Sequence, residues 1–436
     1  MIFNIVDHVK AYSDPDVVVV GGGIAGTALA VALASRGHSV LVLERETVYR
    51  DRGMGEYVQP WGVQALRDLN LLDPLVASGA AVGTGFFAFE GNDGGNHVGR
   101  IKRRPLDTVL PGVSGSLQID HARVNEWLTS EARSAGAQVL RGARLEAVRP
   151  GPTNTVEYTH AGRRFAVQTP WLIGADGRRS TVRTHIAATV SHRPVGITCE
   201  SMLLGSVDGW PAHRNALGND RDAHFILLGR TDVQRRLYRF RTAAQTGRGR
   251  KRSAGLLEAA KHAAAPWGPW LNESVPAGPA IVHQLSEGRS SLVSVPGTTL
   301  IGDAAGWSDP LIGQGLSLVF HDVLRLVQLA ESLTAPAALT EYAREREQLL
   351  ARLSICSWLA RSLQCDFAPG ASERRQAFAD RAAQEPLLDV PLSAYVSGPL
   401  RAEAAAFAPD HVDHIRSVLA EVDESVPTLA SAARDA

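Results

Sequence analysis

Gly21, Gly23 and Gly26 stand in the spacing G-x-G-x-x-G, directly after Asp16 and four consecutive valines. A glycine-rich turn between a strand and a helix turns free backbone N–H groups and the positive end of the helix dipole toward an anion. The first glycine permits the tight turn, the second lets the backbone close on a pyrophosphate, and the third lets the helix pack on the sheet. Ile24 and Ala25 complete the turn. Glu44 ends the next apolar run, 39–43. A carboxylate about 20 residues past the glycines accepts from a ribose hydroxyl, so the pattern predicts an unphosphorylated ribose, in FAD or NAD rather than NADP, at this position. The fingerprint alone is common. Here strand, turn, apolar helix over 27–35, second strand and acid all fall in register.

Two more glycine and aspartate clusters follow short apolar runs. Gly174-Ala175-Asp176-Gly177 comes after Trp171-Leu172-Ile173 and is followed by Ser180 and Arg183. Gly302-Asp303-Ala304-Ala305 comes after Leu300-Ile301, and Pro310-Leu311-Ile312-Gly313-Gln314-Gly315-Leu316-Ser317 then leads into a long apolar helix over 318–333. A strand-end Asp can cap the turn that follows it. No cluster of acids and bases marks a catalytic triad, and no metal site is expected.

The elements that must position these residues fit a chain of 436 residues, enough for two or three domains. Apolar residues make up 44% and charged residues 21%, ordinary for a globular protein. Lys plus Arg and Asp plus Glu both number 45, so no net field favours nucleic acid or an anionic membrane. Cys199, Cys356 and Cys365 lack metal-ligand spacing and suit a reducing cytoplasm. Asp7, His8 and Lys10 interrupt any apolar signal core, and no run approaches the ~20 residues of a membrane span. The fold class expected is α/β with an α+β second domain: a Rossmann-like parallel sheet, an antiparallel sheet and C-terminal helices. Residues 1–80, 105–189 and 296–335 form the first domain, 81–104 and 190–295 the second, and 336–436 a helical region. Alternating stretches at 199–206, 224–228 and 235–241 give the second sheet one buried face. Phe86, Phe87 and Phe89 mark a short strand, and the basic residues Arg100, Lys102, Arg103 and Arg104 read as a solvated loop.

Taken in order, the three clusters resemble the group A FAD-dependent aromatic monooxygenases, the flavoproteins typified by para-hydroxybenzoate hydroxylase, over residues 15–360. Gly55-Glu56-x-x-x-Pro60 is also similar to a segment of squalene epoxidases and flavin halogenases. The resemblance implies FAD, with Gly21, Gly23, Ile24, Ala25 and Gly26 on the pyrophosphate, Glu44 on the ribose and Arg45 beside the adenine. Arg52 and Glu56 pass near the flavin, Arg123 reaches the FAD chain, Asp176 serves FAD and the reduced nicotinamide, and Asp303 binds the ribityl chain. Pro310, Gly313 and Gly315 form the loop at the flavin ring, where backbone N–H groups of Gly315, Leu316 and Ser317 meet its pyrimidine end; no side-chain acid or base is assigned. Ser317 departs from the Asn common in the family, and Asp322 is structural. The implied reaction uses NADPH or NADH and O2, through a flavin C4a-hydroperoxide, to hydroxylate or epoxidise a small aromatic or polycyclic substrate. Secondary metabolism and a monomer or homodimer in the cytoplasm are the setting expected. His224, Tyr238, Arg239 and His283 are the candidate substrate contacts, and Trp210, Trp267 and Trp270 line a pocket or fill a core. A reductase or oxidase without oxygen transfer is the alternative. A halogenase would need Trp-x-Trp-x-Ile, which Trp267-Gly268-Pro269-Trp270 does not match, and a flavin-binding protein without activity is the remaining reading.

Overall fold

The four valines form the strand Val17–Val20, every residue of which is buried. Val17 and Val19 join one core and Val18 and Val20 another, on opposite faces of the same sheet. Burial on both faces is why the run shows no alternation. The computed structural model describes residues 14–91, 98–151, 153–205, 213–220, 222–231, 233–245, 254–263, 265, 267–330 and 336–425. Trp210 lies outside them.

Val17–Val20 pairs in parallel with Val40–Glu44 on one side and Trp171–Gly174 on the other. Gln138–Arg141 and Thr298–Leu300 extend the parallel sheet, and Ser294–Val295 closes one edge antiparallel. The helix Ile24–Ala34 is buried along its whole length. It packs with His121–Ser134 and Gly315–Leu329 on one face of the sheet. The opposite face is covered by the antiparallel strands Arg144–Arg149, Asn154–His160 and Arg163–Thr169. Gly21, Asp176 and Asp303 therefore emerge side by side at the carboxyl ends of neighbouring strands, where open α/β sheets bind ligands.

The second sheet runs, in spatial order, through Gly306–Trp307, Ile281–Ser290, Val190–Gly205, Arg235–Thr242, Ala223–Gly229, Arg214–Asp220, Gly85–Gly91 and Val98–Pro105. It departs from expectation in three places. Arg214–Asp220 and Gly85–Gly91 are parallel, so the sheet is mixed rather than antiparallel. The basic stretch at 100–104 is not a solvated loop but the edge strand Val98–Pro105, paired with Gly85–Gly91; charge on an edge strand keeps it from pairing with other chains. Ala81–Gly83 joins Ser116–Gln118 and Tyr57–Val58 in a separate three-stranded sheet instead of the large one.

The far face of the large sheet packs Phe225, Leu227 and Leu237 against Leu256, Ala260 and Trp267. Trp267 is fully buried, and Trp270 packs against the same cluster, so both fill core. The near face carries Tyr238, Phe240, Leu228 and Leu285. Helices Pro336–Gln364, Ala371–Gln384, Val390–Ser397 and Pro409–Ser425 follow. Arg346 binds buried Asp322 at 2.8 Å and donates to Gly302 O and Gly306 O. Asp322 also accepts from Gly302 N, so this pair anchors the long C-terminal helix to the strand end that carries Asp303. Among the described residues no helix is long and apolar enough to cross a membrane.

Candidate active site

A cavity of about 1400 Å³ lies between the two sheets. It exceeds the about 300–1,000 Å³ of a pocket for one drug-sized ligand, leaving room for a dinucleotide and a second molecule. Gly21, Gly23 and Glu44 line one end, Pro310, Gly313 and Gly315 the middle, and Tyr238, Phe240 and Tyr395 the other end.

At the glycine end each residue has a separate steric reason. Gly21 has φ +104°, and a Cβ there would meet Ala175 O at 2.4 Å. A Cβ on Gly26 would meet Gly21 O at 1.9 Å. Gly23 faces open space, as a residue bordering a bound group should. The first helical bond is Thr27 N to Gly23 O, so the N–H groups of Ile24, Ala25 and Gly26 remain free at the helix start. Glu44, 8% exposed, accepts from Gly22 N at 2.6 Å and Glu46 N at 2.7 Å, which fixes its carboxylate at the wall. Arg45 lines the same end and pairs with Glu46 at 3.4 Å.

Asp176 Oδ2 accepts from Thr181 N and Val182 N, capping the turn. Its Oδ1 is buried and has no partner. A carboxylate oxygen left without a donor is costly, and a ligand hydroxyl in the adjoining cavity would satisfy it. Asp303 accepts from Arg178 Nε at 3.1 Å. Arg178 also lies 5.2 Å over the Trp307 ring. Farther along, Gly313 takes the left-handed φ of +61°. The helix Gly315–Leu329 begins with the N–H groups of Gly315, Leu316 and Ser317 free, because Leu318 N makes the first bond to Gln314 O. Ser317 is fully buried, and its Oγ accepts from Gln59 N at 2.9 Å. A free aspartate carboxylate oxygen, an open glycine and two uncapped helix starts on one cavity fit an elongated anionic dinucleotide with hydroxyl groups.

Arg52 and Glu56 line the cavity beside this loop. Glu56, 2% exposed, binds Arg236 Nη2 at 2.8 Å and Arg230 Nε at 3.2 Å. Tyr238 Oη lies 3.5 Å from Glu56 Oε2. Burial and the Glu56 charge push the Tyr238 phenol well up, so it stays protonated and able to donate. Burial, then the Arg178 charge, lowers the His283 imidazole. His283 lines the cavity with a buried Nε2 that has no partner.

Five sequence-derived candidates do not line the cavity: Gly26 and Ser317, which are buried one position beyond lining residues, and Arg123, His224 and Arg239. Arg123 is exposed and its guanidinium packs at Gly79, because the helix turns His121 and Asn125, not Arg123, to the cavity. His224 is buried beyond the cavity wall, where its Nδ1 meets Asn219 at 2.6 Å. Arg239 points to the far face, with Nε 2.7 Å from Glu200, as strand alternation demands once Tyr238 and Phe240 face inward. His121, pushed down to about 4 by burial and the Arg52 charge, was missed in the sequence. Its four-residue spacing from Asn125 was the available signal. Gln364 and Tyr395 were also missed, since their helices give no local sign of which cavity they cover.

Comparison with known proteins agrees with this geometry. Residues 14–355 match the FAD binding domain family. Squalene epoxidase 3 of Arabidopsis thaliana is 25% identical over 353 residues, which are 77% of this chain but only 64% of that protein. The ubiquinone hydroxylase UbiL of Rhodospirillum rubrum is 28% identical over 83% of this chain and 84% of its own length. The crystal structure of p-nitrophenol 4-monooxygenase PnpA from Pseudomonas putida superposes with a TM-score of 0.73, at 19% identity, covering 88% of this chain and 99% of that one. The chain belongs to the FAD binding domain family and has the fold of the group A FAD-dependent monooxygenases, the para-hydroxybenzoate hydroxylase-like flavoproteins.

Proposed function

We propose that this chain is an FAD-dependent monooxygenase that uses NADPH or NADH and O2 to hydroxylate or epoxidise an aromatic or polycyclic substrate. The observation that carries the reading is the continuity of one cavity from the glycine turn, past the Pro310–Ile312 loop, onto the near face of the large sheet. Bound FAD would supply two-electron reduction by the nicotinamide and activation of O2 for transfer of one oxygen atom. The chain's own part is to bind, orient and enclose. The N–H groups of Ile24, Ala25 and Gly26 would hold the pyrophosphate, Glu44 the ribose and Arg45 the adenine side. Asp176 Oδ1 and Asp303 would accept from ribityl hydroxyls. The N–H groups of Gly315, Leu316 and Ser317 would offset negative charge at the ring's pyrimidine edge upon reduction. Arg52 and Glu56 would flank the ring, with Tyr238 and His283 facing the substrate. Phe240, Leu228 and Leu285 would exclude water there.

The relatives named for squalene epoxidation and ubiquinone hydroxylation support oxygenation of a sizeable apolar molecule. Purified protein should be yellow, and an accepted substrate should stimulate NAD(P)H oxidation. Under labelled O2 the product should carry one 18O atom. A product formed without label would replace this reading with a reductase or oxidase. A folded protein that takes up no FAD would end it altogether.

A further inference from the structure

On the near face of the large sheet, residues from five neighbouring strands line the cavity in succession: Tyr238, Ile226, Leu217, Phe86 and Arg104. Tyr238 pairs with Ile226, Ile226 with Leu217, Leu217 with Ala88, and Phe86 with Arg104, so Phe86 and Arg104 share the face but sit two residues along from the Tyr238 row. Directly paired residues share a face. Four strand spacings of about 4.8 Å and an offset of about 7 Å along the strands put Arg104 roughly 20 Å from Tyr238. The sheet residues Ile226, Leu217 and Phe86 between them are apolar, and Leu392, Ser393, Tyr395, Val396 and Ser397 of the helix Val390–Ser397 line the same cavity.

Arg104 breaks that apolar character at the sheet edge. Arg103 reaches Asp107 at 4.0 Å and Arg214 lies 5.3 Å over the Phe87 ring, whereas Lys102 has no such partner among the described residues but does not line the cavity. Arg104 lines the cavity, is exposed at its rim and, among the described residues, its side chain has no hydrogen-bond or ion-pair partner. Its charge is felt at Asp389 and Tyr395, but neither forms an ion pair or hydrogen bond with it. A planar, permanently charged fork at the rim of an apolar track matches a carboxylate.

We infer that the substrate is an elongated apolar molecule with a carboxylate at the end remote from the oxidised carbon, and that Arg104 holds this carboxylate at the cavity rim. The position of the oxidised carbon rests on the monooxygenase reading; the preference for an acid does not. A cation at this rim adds a charge-assisted contact to a ligand whose body is already desolvated by the sheet.

The test uses FAD-loaded protein and a matched pair of fluorescent probes, 1-pyrenebutyrate and its neutral amide, titrated at low salt. The acid should bind roughly tenfold more tightly than the amide. Arg104→Gln should erase that difference while leaving amide binding, FAD content and thermal unfolding unchanged. Arg104→Lys should restore part of it, and added salt should weaken acid binding alone. Equal binding of acid and amide to the unaltered protein would overturn the inference. So would a preference that survives in Arg104→Gln, or failure of both probes to bind up to their solubility. FAD content and substrate-stimulated NAD(P)H oxidation are read separately, so loss of the acid preference with both intact leaves the monooxygenase reading standing.

Discussion

Gly23 and Gly26 lie three positions apart and differ in what a methyl group would meet. At Gly26 it would collide with the Gly21 carbonyl, which is backbone and cannot rotate away. At Gly23 it would enter empty space within the cavity. Gly26→Ala should therefore impair folding, whereas Gly23→Ala should leave the apoprotein's thermal midpoint within about 2 °C and weaken FAD binding by roughly tenfold or more. Flavin fluorescence titration and thermal unfolding of the apoproteins check both; tight FAD binding by Gly23→Ala would contradict the cradle assignment. Glu56 supports a second residue-scale expectation. It is a buried carboxylate between Arg230 and Arg236. Its loss would leave two largely buried cations sharing Asp51 and Asp120. Removing one partner of a buried pair costs about 3–5 kcal/mol, and the remaining acids place Glu56→Ala near the lower end. Urea unfolding should show a loss of about 3 kcal/mol, with Glu56→Gln losing less.

Among the elements, the short helix Val390–Ser397 is tied directly to the loop that holds Ile312 and Gln314. Gln314 Nε2 donates to Ile312 O at 2.8 Å and Tyr395 O at 3.0 Å, and Trp61 Nε1 donates to Gln314 Oε1 at 3.0 Å. Gln314→Leu removes this clamp, although Trp61 Nε1 still reaches Tyr395 O at 3.2 Å. The opening free energy of 390–397 should fall by about 1–2 kcal/mol, speeding amide exchange there roughly tenfold. Mass spectrometry should find the helix Ile24–Ala34 unchanged, and unchanged exchange at 390–397 would show the clamp to be idle. This element also marks where sequence reading stops. Val17–Val20 and the glycine turns were legible because burial and backbone geometry act locally. The edge strand Val98–Pro105 was not, because Lys102, Arg103 and Arg104 are exposed, as in a solvated loop, and only the pairing with Gly85–Gly91 makes the stretch a strand. Alternation alone says that Tyr238 and Arg239 face opposite ways. Only the packing of Leu237 on Leu256 and Trp267, a long-range fact, tells which face meets the cavity.

For the whole molecule, the equal numbers of acidic and basic residues remove net repulsion near neutrality, so acid sensitivity must come from particular buried groups. Burial, helped by nearby arginines, pushes His121 down to about 4 and His224 down to about 3. His283 is lowered in the same direction. Each is neutral in the folded chain at a pH where the unfolded chain, near 6.5, already binds a proton. The unfolded state therefore binds more protons below that value, and stability rises with pH across the window. Stability is fully present above about pH 7 and is lost as pH falls from 6.5 toward 4. Asp309 and Asp322 act in the opposite sense, because burial raises them despite Arg361 and Arg346. Their effect begins from the ordinary carboxylate range upward and offsets part of the histidine contribution. Asp16, lowered by Ser39, adds a further loss only as pH falls below about 4. Urea unfolding of the FAD-loaded protein should give a free energy on the order of 2–4 kcal/mol smaller at pH 5.0 than at pH 7.5. His224→Gln keeps a polar group for Asn219 but cannot take up a proton, so it should flatten the slope between those values by about one third to one half. Equal unfolding free energies at the two pH values would mean that these imidazoles are protonated in the folded protein, against the burial that surrounds them.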